Sequence, residues 1–268
     1  MKKTIETVTI LGSGNVATWV VHQLLKTPIK VRQVYSATLA HAQRLSAYAR
    51  AQAIDTLADL DDHSDLYLLA LKDDCYASVI GQIPFTMPIA VLTSGALSQN
   101  ILAPAATDFG IIYPCQTFSL HKDSPNPDAD FSRLEMPLCV EGNREETQIL
   151  LAAFAKNLSD SIYYLDENQR NILHLAAVFA SNFTNAMYAT GFSLLDKYQI
   201  EHQLLLPLLK NTFYKIEKMP PWDAQTGPAS RNDLSVMKKH LAMLNEERQR
   251  EIYQLVSQYI IEKTNHNG

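Results

Sequence analysis

The sequence predicts an α/β fold, a doubly wound and mostly parallel sheet, followed by an all-α C-terminal domain. Two observations predict it. Short β-branched runs alternate with amphipathic helical segments up to about residue 165, and the strand patterns stop after that point. Strand–helix alternation requires crossover connections, which bury a parallel sheet on both faces. We therefore expect an α/β domain at residues 1–165 and a helical domain at residues 166–268.

The residue patterns place the individual elements. Strands are predicted at residues 7–11, 31–35, 66–71, 89–92 and 110–113, with helices between several of them, notably at 16–26 and 40–51. A further strand, helix and strand, at 138–141, 145–157 and 162–164, are expected to extend the same sheet. The proline-rich residues 121–137 are expected to form a long exposed loop. From residue 167 onward helices alone are predicted, at 167–198, 201–219, 233–244 and 246–263.

Composition narrows the class of partner. The formal net charge of -5 leaves no basic surplus for a nucleic acid or an anionic membrane. No apolar stretch reaches the ~18 residues of a membrane span. A small-molecule ligand is therefore favoured.

The cysteines and histidines bear on metal sites and on location. The three cysteines show no paired spacing, which argues against a disulfide framework and a zinc site, and the eight histidines are scattered. The apolar stretch after Lys3 is too short for a signal peptide. These features predict a cytoplasmic protein with no metal.

A glycine-rich turn is the most informative motif. Gly12-Ser13-Gly14-Asn15-Val16-Ala17 follows an apolar strand and opens an amphipathic helix, as in dinucleotide-binding Rossmann folds. Gly12 permits the tight turn, and Gly14 lets the backbone approach a pyrophosphate. The residues from Ser13 to Val16 bring free N–H groups and the positive end of the helix dipole to the phosphates. An ordinary strand-to-helix turn, or a site for FAD or S-adenosylmethionine, remains the alternative.

The end of the second predicted strand bears on the choice of cofactor. NAD-binding proteins place an acidic residue there for the ribose 2′-hydroxyl, but residues 34–41 contain none. Ser36 and Thr38 can donate hydrogen bonds to a 2′-phosphate, and His41 or Arg44 could supply charge. These residues favour NADP over NAD, although Arg44 can also be read as a solvated helix residue.

Five segments together resemble a known family: Leu11-Gly12-Ser13-Gly14-Asn15-Val16-Ala17, Thr93-Ser94-Gly95-Ala96, Tyr113-Pro114-Cys115-Gln116-Thr117-Phe118, residues 174–183 and residues 226–233. The sequence resembles short NADP-dependent oxidoreductases in which a Rossmann-like domain precedes a helical domain of unknown function. More distantly it is similar to pyrroline-5-carboxylate reductase and the deazaflavin-dependent NADP reductases, which implies a homodimer built through the helices. The chain departs from many relatives at Leu92 and Tyr113, where they carry His, and at Asn232, where they often carry Gly.

Ligands of open parallel sheets bind beyond the carboxyl ends of the strands, where Leu71, Ser94, Gly95, Tyr113 and Gln116 are expected to lie. We predict cofactor contacts for Leu71, Ser94 and Gly95, and substrate contacts for Tyr113 and Gln116. Ser94 and Gln116 could instead only cap the helices that follow them.

Two acidic residues lie at the same edge. Asp73 or Asp74 could face the cofactor ribose, but an N-cap of the next helix is the favoured interpretation.

The first long predicted helix carries the candidate catalytic residues. Arg170, His174, Ala177 and Ser181 follow a spacing that places them on one face, with Asn182 beside it. His174 could exchange a proton at neutral pH, Asn182 could orient the reacting atom, and Ser181 could contact the substrate. A histidine packed between helices is the alternative for His174.

Arg231 suits a substrate carboxylate or phosphate, because its guanidinium binds two oxygens at once. Pairing with Asp223 or Asp233 is the alternative interpretation. Together the residues predict hydride transfer between NADP and a C=O or C=N bond of a small molecule. A non-catalytic NADP-binding sensor or scaffold is the competing hypothesis.

Overall fold

The computed structural model describes residues 4–118 and 135–265. Most of the loop predicted at 121–137 lies outside the described residues. The chain divides into two compact units, Met1–Ser181 and Asn182–Gly268.

An eight-stranded sheet organises the first unit. Its strands are β1 (Thr7–Leu11), β2 (Lys30–Tyr35), β3 (Gln52–Ile54), β4 (Leu66–Leu69), β5 (Met87–Leu92), β6 (Ala106–Pro114), β7 (Leu138–Gly142) and β8 (Ile162–Tyr164). They lie in the order β3-β2-β1-β4-β5-β6-β7-β8. The first six are parallel and follow the Rossmann order, in which the sequence of strands reverses between β1 and β4. The α/β fold class is confirmed.

Two features of the sheet differ from expectation. Strand β3, three residues long, was not predicted, because so short an edge strand carries no readable alternation. Strand β7 runs antiparallel to β6, with Tyr113 opposite Cys139, whereas β8 pairs with β7 in parallel. The strand, helix and strand predicted at the end of the sheet are therefore present, but both strands run antiparallel to the other six. The β4 prediction was also two residues too long at its carboxyl end.

Helices cover both faces of this sheet. They are α1 (Asn15–Leu24), α2 (Leu39–Ala49), α3 (Tyr76–Ile80), α4 (Glu145–Ala155) and α5 (Glu167–Ala177). One apolar cluster packs Trp19 and Phe154 against one face, and a second packs Tyr76 and Leu102 against the other. Strand residues alternate between the clusters, as Leu68 and Leu69 do, so the unit is a layered sandwich with its own core.

Helix α5 has a well-defined start. Asp166 accepts a hydrogen bond from the backbone of Gln169, whose side chain bonds back to the Asp166 backbone. This reciprocal capping box satisfies two N–H groups that would otherwise be unpaired at the helix start. The cap fixes the first turn of the helix that carries Arg170 and His174.

Helices are the regular elements of the described part of the second unit, and turns at residues 217–233 separate two of them. Its helices are α6 (Thr184–Lys197), α7 (Leu206–Ile216), α8 (Leu234–Met243) and α9 (Glu247–Asn265). A π-helical segment, Val178–Phe183, precedes α6, so the single helix predicted at 167–198 is interrupted. In the described ranges, no helix is long and apolar enough to cross a membrane.

The turn before α8 contains a residue in a left-handed conformation. Asn232 has a φ of 52°, in the left-handed region that favours glycine and, next to it, asparagine. A glycine at this position would meet the same backbone requirement.

Candidate functional site

The turn after β1 requires glycine at its first position. Gly12 has a φ of 126°, and a Cβ there would lie 2.1 Å from the backbone oxygen of Ala70. Its N–H donates to Tyr35 O at 2.8 Å, which ties the ends of β1 and β2 together. Any side chain at this position would meet the backbone of Ala70, directly after β4, so the turn cannot form without glycine.

Gly14 presents the opposite environment. A Cβ at this exposed residue would meet no atom within 4 Å, so the space above the start of α1 is open. Gly14 is the N-cap of α1 and has no side chain to occupy the first N–H groups of the helix. Open space over a helix N-terminus suits a pyrophosphate. The residues present therefore fit a dinucleotide, with Gly12, Ser13, Gly14, Asn15 and Val16 forming the turn.

The residues predicted near the 2′-phosphate lie at the adjacent strand end. Ser13 Oγ donates to Ser36 Oγ at 2.9 Å, so the structure brings these two predicted residues together. Thr38 is the N-cap of α2 but makes no capping hydrogen bond with its side chain. His41 and Arg44 are solvent-exposed on that helix. Ser36 follows β2 and Thr38 precedes α2, and their contact with a 2′-phosphate stays a prediction.

A buried tyrosine joins the carboxyl ends of β4 and β5. Tyr76 Oη donates to Leu69 O at 2.9 Å and accepts hydrogen bonds from the backbone N–H groups of Leu71 and Thr93, each at 3.4 Å. Burial raises the pKa of Tyr76, which keeps its proton on the hydroxyl. Tyr76 therefore fixes two loops predicted to surround the nicotinamide, although the sequence analysis did not single it out.

The acidic residues of this loop do not cap the helix as expected. The N-cap of α3 is Cys75, and a 3-10 turn from Asp73 to Cys75 precedes the helix. The carboxylate of Asp74 accepts a hydrogen bond from the Cys75 thiol at 3.3 Å instead. The N-cap interpretation was wrong because the tighter turn shifts the helix start past both aspartates.

Ser94 closes a turn within its own loop and does not cap a helix, since the N-cap of the next helical turn, Gln99–Leu102, is Ser98. Its Oγ accepts hydrogen bonds from the backbone N–H groups of Ala96 and Leu97, both at 3.1 Å, and the residue is buried. The hydroxyl proton is still available to a ligand, so the predicted cofactor contact stays a prediction.

Three predicted residues meet around Gly95. Tyr113 Oη lies 3.1 Å from His174 Nδ1. A Cβ on Gly95 would lie 2.6 Å from His174 Nδ1 and 2.8 Å from Tyr113 Cζ. Both rings therefore rest directly on the glycine backbone at the carboxyl edge of the sheet. Counted along the sheet from β1, β5 is two strands away and β6 is three. At the usual strand spacing they lie about 10 Å and about 14 Å from β1.

The surroundings keep Tyr113 protonated. Burial raises the pKa of its hydroxyl well above the ordinary value, and the neighbouring Cys115 thiol raises it further. Because the hydroxyl does not ionise, it forms its hydrogen bond with His174 Nδ1 as a neutral group. The other ring nitrogen, Nε2, is then the atom that a substrate can use.

A buried ion pair lies beside this group and was not predicted. Arg170, fully buried, donates to Gly95 O at 2.9 Å and to Glu141 Oε2 at 3.3 Å. Gln99 donates to the other Glu141 oxygen at 2.9 Å. Spacing placed Arg170 on the face of His174, but its partners come from distant parts of the sequence and left no local signal.

Gln116 is engaged in its own loop. Its Nε2 donates to Glu135 O at 3.2 Å, and its Oε1 accepts from the Thr117 N–H at 2.9 Å. These bonds close the ends of the loop that follows β6. A substrate contact by Gln116 stays a prediction.

The remaining predicted residues lie at or beyond the division between the units. The division falls within the π-helical segment, where half-buried Ser181 ends the first unit and exposed Asn182 begins the second. Arg231 is exposed. The pKa of Asp233 is lowered first by the hydrogen bond from the Val236 backbone, with a smaller contribution from the charge of Arg231. Their predicted roles stay predictions.

Among residues 4–118 and 135–265, no group of three or more His, Cys, Asp or Glu side chains could hold a metal ion.

Comparisons with known proteins identify the relatives of this chain. Residues 136–260 match the family described as a domain of unknown function, DUF2520. The crystal structure of a "putative NADP oxidoreductase" from Bacteroides fragilis is 34% identical, with a TM-score of 0.86, over 96% of this chain and 98% of that one. A search of curated proteins finds no match.

More distant structures share the fold. The 1-pyrroline-5-carboxylate reductase of Streptococcus pyogenes is 17% identical over 96% of this chain and 97% of its own, with a TM-score of 0.60. The reductive aminase of Aspergillus terreus, solved with NADPH4, cyclohexanone and allyl amine, is 18% identical over 99% and 95%, with a TM-score of 0.68. The likeness to the Bacteroides protein extends over nearly the whole of both chains, and it agrees with the resemblance carried by the motifs. The chain therefore belongs to the family of short NADP oxidoreductases in which a Rossmann-like domain precedes a DUF2520 domain.

Proposed function

We propose that this protein is an NADP-dependent reductase that transfers a hydride between the nicotinamide and a C=O or C=N bond of a small molecule. The contact between Tyr113 and His174, held on Gly95 at the carboxyl edge of a Rossmann sheet, carries the proposal. It combines a proton donor with the place where such sheets bind their ligands. The relatives described as an NADP oxidoreductase and as reductases support the reaction class.

The chain offers a binding site for each part of the cofactor. The Gly12–Gly14 turn and the start of α1 would hold the pyrophosphate. Ser36 and Thr38 would donate to the 2′-phosphate, while Leu71, Ser94 and Gly95 would border the nicotinamide. When bound, the cofactor supplies the hydride.

His174 would complete the reaction by supplying a proton. Reduction of a carbonyl or imine requires a proton at its oxygen or nitrogen as the hydride reaches carbon. With Nδ1 held by Tyr113, the imidazolium form of His174 gives the proton from Nε2 and becomes neutral. Asn182 would orient the same atom, and Tyr113, Gln116, Ser181 and Arg231 would contact the rest of the substrate.

We further propose that the protein is a homodimer joined through its helices. Ala229 and Ser257 are the buried residues of the described second unit, so this unit has almost no apolar core. Six large apolar side chains in it are each at least 58% exposed: Leu204, Leu208, Phe213, Leu234, Met243 and Leu255. Apolar surface of this extent usually marks an interface, and a second copy would cover it.

Location and domain roles follow from the same assignment. The three cysteines are free thiols, as expected in the reducing cytoplasm. We assign residues 1–165 to cofactor binding and 166–268 to substrate binding and dimerisation. His174 then belongs to the substrate-binding part.

The first test is binding. Calorimetric titration with NADPH, NADH and FAD in parallel should give micromolar affinity for NADPH and at least ~10-fold weaker affinity for NADH, about 1.4 kcal/mol. A screen of carbonyl compounds with and without amines should then yield turnover. His174→Ala should lower that turnover at least ~100-fold, because a positioned proton donor contributes ~10²–10⁴. Binding without turnover of any compound would favour an NADP sensor, and no binding would overturn the proposal.

A further inference from the structure

The buried pair of Arg170 and Glu141 connects three separate elements. Arg170 lies on α5, Glu141 on β7, and the Gly95 carbonyl in the loop after β5. The Arg170 side chain is 1% exposed and that of Glu141 13%. One guanidinium thus bonds a carboxylate on β7 and a backbone carbonyl in the loop after β5.

The Arg170–Glu141 pair has the properties of an ion pair that contributes little to the stability of the fold. Burial raises the pKa of Glu141 even though Arg170 lies beside it, so the ionised carboxylate is held at a cost. The Nε atom of Arg170 is buried with no hydrogen-bond partner. Buried ion pairs often contribute no more stability than apolar residues of the same size. The contacts of the Arg170–Glu141 pair therefore point to a role other than stabilising the fold.

Helix α5 touches Gly95 at two points one turn apart. The guanidinium of Arg170 holds the Gly95 carbonyl, and the ring of His174, four residues later, lies on the Gly95 backbone. Two contacts fix both the distance and the rotation of the helix relative to the loop. The charge of Arg170 also acts on Tyr113, whose pKa it lowers against the dominant effect of burial.

We propose that the Arg170–Glu141 pair is a positioning device that locks helix α5 onto Gly95 and so holds His174 against the Tyr113 hydroxyl. The proposal rests on the function proposed for His174. Arg170 acts through the glycine, and Glu141 acts by fixing the direction of the guanidinium. Gln99, which donates to Glu141, completes the support from the neighbouring turn.

The test separates positioning from stability. The double variant Arg170→Met with Glu141→Leu removes both charges while keeping the volume. We expect its melting temperature to stay within about 5 °C of wild type, its NADPH affinity within twofold, and its kcat to fall at least ~30-fold, since small misplacements of reacting groups are costly. Arg170→Lys can keep only one of the two bonds, and we expect an intermediate kcat. Arg144→Met, which removes an exposed arginine paired with Asp108, should change none of these values.

A second readout does not depend on turnover. In protein labelled with ¹⁵N-histidine, NMR reports whether His174 Nδ1 is hydrogen-bonded, with His174→Gln identifying the signal. We expect this signal to shift in the double variant and to stay in place in Arg144→Met. If wild type reduces no compound, the proposed function fails while the NMR result still decides the positioning role. An unchanged His174 signal, a kcat within twofold of wild type, or a melting temperature more than about 10 °C lower would overturn it.

Discussion

The two units of this protein bury their apolar residues to very different extents. In the first unit, the sheet carries an apolar cluster on each face, and strand residues such as Val8, Leu68 and Val91 are completely buried. In the second unit, large side chains such as Leu255 are up to 71% exposed, and Ala229 is the one buried apolar residue of its described part. Since apolar burial is the main stabilising contribution to folding, the first unit has a core of its own, whereas we expect the second to depend on the partner copy proposed above.

This contrast separates two kinds of constraint on the sequence. In the first unit a residue is constrained by contacts within the chain, as Gly12 is by Ala70. In the second unit we expect the strongest constraints to come from another copy. Four sets of substitutions test this division, given from the largest expected effect to the smallest.

The two glycines of the dinucleotide turn should respond in opposite ways. Gly12→Ala forces a Cβ to within 2.1 Å of a backbone oxygen in a left-handed conformation, so we expect a loss of at least ~3 kcal/mol or no folded protein. Gly14→Ala meets no atom and should melt within about 2 °C of wild type. It should nevertheless weaken NADPH binding at least ~10-fold, since the methyl group fills the space for the pyrophosphate. Thermal melts and calorimetry of both variants decide this, and normal NADPH affinity in Gly14→Ala would exclude the turn as the phosphate site.

A charge on an apolar helix of the second unit should separate the subunits. Leu208 on α7 is 58% exposed, and we expect Leu208→Asp to raise the dimer dissociation constant at least ~100-fold, about 2.7 kcal/mol. Asn211→Asp adds the same charge to the same helix at a polar position and serves as the control. Mass photometry across a dilution series measures the shift. A wild-type protein that is monomeric throughout would contradict the dependence on a second copy.

Gly95→Ala should act on the chemistry and leave cofactor binding largely intact. The added methyl group would press on His174 Nδ1 and Tyr113 Cζ, whereas no left-handed conformation is involved. We expect kcat to fall ~10–100-fold with NADPH affinity within threefold of wild type. Tyr113→Phe provides a comparison. It removes one hydrogen bond, ~1 kcal/mol, and should lower kcat only about fivefold. Equal losses of NADPH binding and kcat would show that the substitution disturbs the whole loop.

Acid should weaken each unit through one aspartate, and this is the smallest effect. Burial acts to raise the pKa of Asp61, but the hydrogen bonds from Arg32 and from the His63 backbone, together with the charge of Arg32, lower the pKa on balance. In the second unit the Val236 backbone hydrogen bond lowers the pKa of Asp233, the N-cap of α8. A lowered pKa means that each carboxylate stabilises its unit above the unfolded value of 3.8, and that this stability is lost as the pH falls through the lower folded-state pKa. Melting curves between pH 7 and pH 3 should show that Asp61→Asn makes the unfolding of the first unit less sensitive to acid. Asp233→Asn should do the same for the unfolding of the second unit. Identical acid responses in both variants would contradict independent units.

Residues 7–17 show how far local patterns predict this fold. The apolar run of β1, the turn at Gly12 and the start of α1 are set by neighbouring residues, so the sequence predicted them closely. The same holds for the helices of the second unit, whose 3.6-residue pattern is local. The antiparallel entry of β7 was missed because strand direction depends on which edge is free, and a run of apolar residues does not record that.

The candidate site divides along the same line. By itself the sequence determined the residue types and the edge of the sheet: the glycine turn, the hydroxyls of Ser36 and Thr38, and His174 on a helix face. Only the tertiary structure decided that Tyr113 meets His174 across 61 positions and that Arg170 meets Gly95 across 75. The physical reason is that hydrogen-bonded pairs far apart in sequence are selected by packing of the whole sheet, whereas turns and helices are selected by their nearest neighbours.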